Sequence, residues 1–408
     1  MTCEVADAPK DQWPHGVSPP RWLQRRQARV TIRARPGVVL RLVALLACWA
    51  ASLLWFGNSA DADDGYRDFR RTIFVAQQHA TYLTAIDIDA EALAGRLEIG
   101  LEPRDLQISQ RGGQLVAIDL RQPQVAIVDL ASRGRRLLTL PLVPSRVRIS
   151  PNGERFAVFD DQRGSVILIS TADGRELARI DGPHDIREAI FANDGKSLFI
   201  AADSLSGIAA YDTASAQRVA TIDGPPVSVL LRGPNGREGF ALSSTAPRKI
   251  LHLDLNSPKT LATLELPQAT ALFPTRTGIQ LLALDPNGGT LSILPAEPLQ
   301  PGVSLASGAG ASIAFAAWFD TTAFVPDPTK RALLIYDLER RKPIGTIALD
   351  GRPTGGIVTP DGDKLYLAIE ETGAVAVIDT HLRRRKASIP LRFKPTLVTI
   401  AGGYGLCH

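Results

Sequence analysis

The segment Gly355–Leu391 reads G-G-I-V-T-P-D-G-D-K-L-Y-L-A-I-E-E-T-G-A-V-A-V-I-D-T-H-L-R-R-R-K-A-S-I-P-L. Four short runs of Val, Ile, Leu, Tyr and Ala are separated by Pro-Asp-Gly, by Glu-Thr-Gly and by a polar Asp-Thr-His-Leu-Arg stretch. Such runs, bounded by turn residues, predict a four-stranded antiparallel meander. The third run closes on an apolar residue followed by aspartate, Ile378-Asp379. The same step recurs upstream at Tyr336-Asp337, Leu253-Asp254, Tyr211-Asp212, Val128-Asp129 and Ile86-Asp87, with degenerate copies at Ile169-Ser170 and Leu294-Pro295. Positions 87, 129, 170, 212, 254, 295, 337 and 379 are always 41 or 42 residues apart, the signature of one supersecondary unit repeated eight times.

The first run supplies an independent count. Its apolar-x-Pro-Asn/Asp-Gly pattern stands at Ile149–Gly153, Phe191–Gly195, Arg232–Gly236 and Val358–Gly362, with weaker forms at Ile108-Ser109, Phe273-Pro274 and Phe315. An Asn/Asp-Gly pair is what a tight hairpin asks for, because its central residues adopt positive φ. Second runs then follow, from Thr72–Ala76 to Leu365–Ile369.

The two ends of the repeat are unequal. Asp61–Arg71 is polar and holds no first run, whereas Pro395–Gly402 is a first run with no unit after it. Thr396–Ala401 is therefore expected to supply the innermost strand of the blade begun by residues 72–99, which closes a ring and leaves no open sheet edge. The reading predicts an all-β fold, an eight-bladed β-propeller (seven-bladed as the alternative) of four-stranded antiparallel blades over residues 66–408, preceded by an N-terminal apolar helix. Blade six, residues 267–308, is expected to be the most degenerate.

Val358–Asp379, with T-P-D-G-D-K-L-Y-L-A and A-V-A-V-I-D-T, resembles the YVTN-type repeat propellers, a periplasmic or cell-surface group typified by YncE-like proteins. The resemblance spans about 340 residues. It departs from the family pattern in blades five and six, where the turn and Asp signatures fade, and in second strands that read L-Y-L-A or L-F-I-A instead of the name-giving tetrapeptide. Trp-Asp steps are absent, which disfavours a WD-type intracellular scaffold. Eight blades is also the count of the haem-binding propeller of periplasmic nitrite reductases and its biosynthetic relatives, a similarity of architecture.

Ahead of the repeat, residues 1–37 form a basic tail with six arginines from Arg21 to Arg35 and no acid among them. Residues 38–57 are apolar but for Arg41. Their uninterrupted core, Leu42–Phe56, is 15 residues long, the length of a signal-peptide core and short of the roughly 20 that span a bilayer. Including residues 38–40 gives a spanning helix if Arg41 snorkels. Within the linker 58–65, Ala60-Asp61-Ala62 is a small-residue pattern for cleavage after Ala62. Either way the arginines stay inside. The propeller is then expected on the periplasmic or extracellular side, secreted after cleavage or anchored to the inner membrane by residues 38–57.

The net charge of +4 belongs to that leader, since residues 61–408 hold 38 basic and 39 acidic side chains. A near-neutral main domain argues against nucleic acid as partner. Cys3, Cys48 and Cys407 form neither a disulfide framework nor a paired-cysteine metal site.

Propellers bind at the mouth of the central channel, built by the loops between blades and those joining second and third strands. On that face fall His79, Arg104, Arg146, His184, Asp185, Arg187, Arg352 and Lys394, a mixed ring that can hold a small anionic ligand or an acidic loop of an envelope protein by charge-assisted hydrogen bonds. The plain alternative is a solvated rim. His79 and His184 could meet there but lack an acidic cluster, His252 reads as a packed or blade-surface residue in a third strand, and His381 lies on the opposite face. No metal or other cofactor is predicted. No Gly-x-Ser-x-Gly, His-Glu-x-x-His or phosphate-cradling loop is present. Arg383–Lys386 is a basic run in a third-to-fourth turn, read as solvated, with attraction to an anionic surface as the alternative. The sequence thus points to an exported, non-catalytic binding platform for an envelope protein or ligand. The competing reading is a periplasmic redox or hydrolytic enzyme, or a cofactor-handling accessory, using the mouth near His79 and His184.

Overall fold

Each predicted run forms a strand in the computed structural model, which describes residues 65–402 apart from 110 and 112. The expectations for the basic tail, the apolar segment, its cleavage site and all three cysteines lie outside the described residues. Strands β1 (Thr72–Gln77) to β32 (Pro395–Ile400) form eight four-stranded antiparallel sheets. Eight blades, not seven, are therefore present. In seven of them four consecutive strands form the blade. In the remaining one the order is β3-β2-β1-β32, with β2 Tyr82–Asp87 and β3 Ala92–Glu98. The expected closure is thus observed, and β32 pairs with β1 from Ile73↔Ile400 to Ala76↔Leu397.

All eight repeat positions from 87 to 379 are the last residues of third strands. The reason for aspartate there is the turn that follows. Oδ1 of Asp87 accepts the amides of Asp89 and Ala90, both at 2.8 Å, and Oδ1 of Asp254 those of Asn256 (2.9 Å) and Ser257 (3.0 Å). A carboxylate in this place satisfies turn amides that no strand partner can reach. In the first-to-second turns Gly153, Gly195, Gly236, Gly278 and Gly362 take φ of 71–79°, the left-handed region that glycine enters without strain.

The core is a set of eight apolar clusters, one at each interface between neighbouring blades. Second and third strands are buried on both faces because each blade is covered on two sides, and this is why they read as unbroken apolar runs. The seam between the last and first blades carries an additional tie: the Glu91 carboxylate takes Lys364 at 2.6 Å and Lys386 at 2.5 Å.

Blade six is complete, from β20 (Ala271–Pro274) to β23 (Val303–Ala306), so its degenerate sequence did not cost it a strand. The backbone irregularity falls in blade seven. Its inner strand β24 is only Phe315–Ala317, and the turn after it has no glycine: Trp318, Phe319 and Asp320 take φ of 50°, 53° and 58°.

Candidate functional site: the central channel

The inner strands β4 (Pro103–Ile108), β8 (Arg146–Ile149), β12 (Ile186–Phe191), β16 (Val227–Arg232), β20, β24, β28 (Pro353–Val358) and β32 surround the channel. Their register with the second strands sets which residues share a level. Asp105, Arg146, Glu188, Val229, Ala271, Gly355 and Leu397 each lie opposite the penultimate residue of the second strand of their own blade. Three charged residues thus stand on the consecutive blades two, three and four, and small or apolar ones on blades five, six, eight and one. The channel has two chemically different sides.

On the charged side the ions neutralise one another. Arg146 reaches Asp161 at 2.8 Å and Glu188 at 3.3 Å, and Arg148 reaches Glu188 at 2.8 Å and Asp105 at 3.3 Å. Arg146 also donates to the carbonyls of Ile186 (3.1 Å) and Arg187 (2.6 Å), and Asp105 accepts the Val147 amide at 2.9 Å. These side chains are 14–24% exposed. Burial pushes the Asp105 carboxyl up, opposed by the neighbouring Arg148 guanidinium. The network clamps three blades and has no cation left over for an anionic guest.

On the other side a cavity open to solvent runs along blades six, seven, eight and one. Phe273, Phe315, Gly355, Gly356 and Leu397 form its wall, and Arg276, Trp318 and Phe319 stand at the end carrying the first-to-second turns. Nothing lies within 4 Å of where a Gly355 Cβ would be, so the glycine leaves open space on the channel wall. Trp318 stacks on His381 with ring centroids 4.1 Å apart and meets the edge of Phe319, which is 74% exposed. Asp320 anchors this turn to blade six by accepting the amides of Arg276 (3.0 Å) and Thr277 (2.5 Å). Three successive left-handed residues without glycine are costly and persist only when neighbours hold them, a feature of binding sites.

The residues singled out from sequence lie at the opposite mouth, and the fold gathers them in part. Arg104 and Arg187 occupy the same place, the extra residue of a β-bulge at the start of β4 and β12, and both are exposed. Arg187 is taken by Asp203, Lys394 by Glu370 at 3.4 Å, and the His79 ring faces Glu102 at 3.6 Å. Arg146 belongs to the clamp just described. His184, Asp185 and Arg352 are exposed, and no ion pair involves them among the described residues. Of the basic run 383–386, Arg385 pairs with Asp350 and Lys386 with Glu91. Arg148, Trp318 and Gly355 were not selected from sequence. The absent glycine in the turn at Trp318, in an otherwise regular series, was the available signal.

The chain matches no protein-family model and no curated protein. Its fold is similar to that of dihydro-heme d1 dehydrogenase NirN in complex with DHE, at 15% identity and a TM-score of 0.68 over 83% of this chain and 76% of that one. It is also similar to apo AztD from Citrobacter koseri, at 13% identity and a TM-score of 0.63 over 82% and 98%. A third likeness is to the C-terminal WD40 domain of Sif2, at 14% identity and a TM-score of 0.55 over 75% and 93%. At these identities the likeness establishes the β-propeller fold.

Proposed function

We propose that this chain is an exported binding protein, non-catalytic in itself, whose channel takes a small amphipathic molecule with a flat apolar body and an anionic group. The observation that carries this reading is the cavity on the apolar side of the channel, with a wall of Phe273, Phe315, Gly355 and Leu397 and an aromatic rim at Trp318 and Phe319 beside Arg276. Concave, mostly apolar sites with a few polar groups are the usual form of small-ligand pockets. Among the described residues lining it, the titratable side chains are Arg276 and Asp320, and the Asp320 carboxylate already accepts backbone amides. No nucleophile with an adjacent base is available there, which favours binding over catalysis. That NirN is described in complex with DHE agrees with a propeller of this architecture holding a ligand. The basic-then-apolar leader and the resemblance to YVTN-type propellers support a periplasmic or cell-surface location, with the first mature residue near Asp63 expected from N-terminal sequencing.

The test uses Trp318 as reporter. With Trp13, Trp22, Trp49 and Trp55 changed to Phe, it is the sole tryptophan. Titration with the anionic dye anilinonaphthalene sulfonate should quench it saturably. Gly355→Leu, whose side chain enters the cavity from a position where nothing lies within 4 Å of the added Cβ and which leaves Trp318 the sole tryptophan, should weaken the dye at least about tenfold, or about 1.4 kcal/mol. Undiminished binding by that variant rejects the channel as the site.

A further inference from the structure

Away from the channel, where blade five meets blade six, three metal-ligating side chains from three elements converge. Glu238 opens β17 (Glu238–Ser243), His252 lies on β18 (Lys249–Asp254), and Glu297 follows β22 (Thr290–Pro295). Their ligand atoms all lie within 4.8 Å of one another. Nε2 of His252 is 2.8 Å from Oε2 of Glu238. The histidine side chain is 7% exposed and lies flat on the Phe240 ring, with centroids 4.9 Å apart and planes 12° apart. Stacking therefore fixes the direction in which Nε2 points before any ligand arrives.

A buried histidine paired with one glutamate is complete as a structural unit. Glu297 is the group that such a unit does not call for. Where most other third strands end in an aspartate turn, that of blade six ends on Pro295, and the residues that follow carry Glu297 to Glu238 and His252 of blade five. Two carboxylates converging on one imidazole nitrogen repel each other unless a shared proton or a cation lies between them. Without a cation, the hydrogen bond from Glu297 to Glu238 holds the Glu297 carboxyl above its usual range, and a cation would take the proton's place.

We propose that Glu238, His252 and Glu297 bind a divalent cation of the zinc class. One imidazole nitrogen and two carboxylate oxygens form a donor set suited to a borderline ion. Calcium, which takes six to eight oxygens, is poorly served by it. The three donors come from two blades, so the ion would pin the blade five–six interface. Glu297 is exposed, which gives the ion a route in and leaves a coordination position facing solvent. The site is separate from the channel and does not rest on the ligand proposed for it.

Zinc chloride titrated calorimetrically into the full chain tests the assignment. The expected result is one ion per chain at this site, with affinity lowered at least about tenfold by Glu297→Gln, since even loss of an outer partner of a metal ligand costs that much. His252→Phe, which keeps an aromatic ring against Phe240, should lower it likewise. His79→Ala, at the channel mouth, should bind as the unaltered chain does. Because His252 is buried and its replacement can disturb folding, the exposed Glu297→Gln is decisive, provided its circular dichroism melt without zinc matches that of the unaltered chain. No zinc uptake by the unaltered chain, or equal affinity in Glu297→Gln, overturns the proposal.

Discussion

Asp129 shows what a single side chain of the repeat does. Its Oδ1 accepts the amides of Ala131 (3.1 Å) and Ser132 (2.7 Å) and the Ser132 hydroxyl (2.8 Å), and its Oδ2 accepts Gln114 Nε2 at 2.7 Å. These bonds, the Ser132 amide foremost, hold its carboxyl below the usual aspartate range. Asp129→Ala should therefore destabilise the protein by about 1–2 kcal/mol in urea at neutral pH, the scale of a lost turn cap. The sign of the pH dependence follows from the lowered value. The contribution is fully present above the unfolded pKa, about 3.9, and is lost as pH falls through the folded one. The gap between the two proteins should narrow on acidification, and a gap that stays constant or widens below about pH 4 would contradict the assigned role. This function made the aspartate legible in the sequence, because it acts on amides two and three residues away and needs no distant neighbour.

At the scale of elements, legibility followed burial. Second and third strands were located to within a residue or two because both faces are covered and the runs are apolar throughout. The inner strands β20 and β24 gave weak signals, since one edge faces the channel and tolerates almost any side chain. Blade six accordingly looked more damaged than it is, and the unusual turn of blade seven was visible only as a missing glycine. The strand of greatest consequence is β32, which turns a row of blades into a ring. Truncation before Pro395 should leave β1 with unpaired backbone groups on its open edge. We expect higher-order species in size-exclusion chromatography and loss of a single sharp thermal transition. A monomeric truncated chain that still unfolds in one step would show that closure is dispensable.

For the whole molecule, the ring makes stability a shared property. Each interface cluster is flanked by two others, and none is terminal. Phe74 is fully buried between blades one and two, with Tyr66 edge-on at 5.0 Å. Phe74→Ala should cost about 3–5 kcal/mol, as large-to-small core changes do. In the single-tryptophan background the loss should register at Trp318 in blade seven and in far-ultraviolet circular dichroism at the same urea concentration. If Trp318 reports an unchanged midpoint, the blades unfold independently, in the manner of an open repeat array.

Blade number, strand order and the closure of the ring were written in the chain, because a 41- or 42-residue spacing and an orphan strand express local backbone needs that every copy must meet. Which side of the channel would be charged, that Arg146 and Arg148 would be consumed by Asp105, Asp161 and Glu188, and that Glu297 would meet His252 were settled only in three dimensions. Apart from Arg146–Asp161, which lies within one blade, those contacts join residues some 40 positions apart on neighbouring blades. Adjacency of that kind depends on the register and twist of each blade against the next, and short-range sequence patterns carry no record of it.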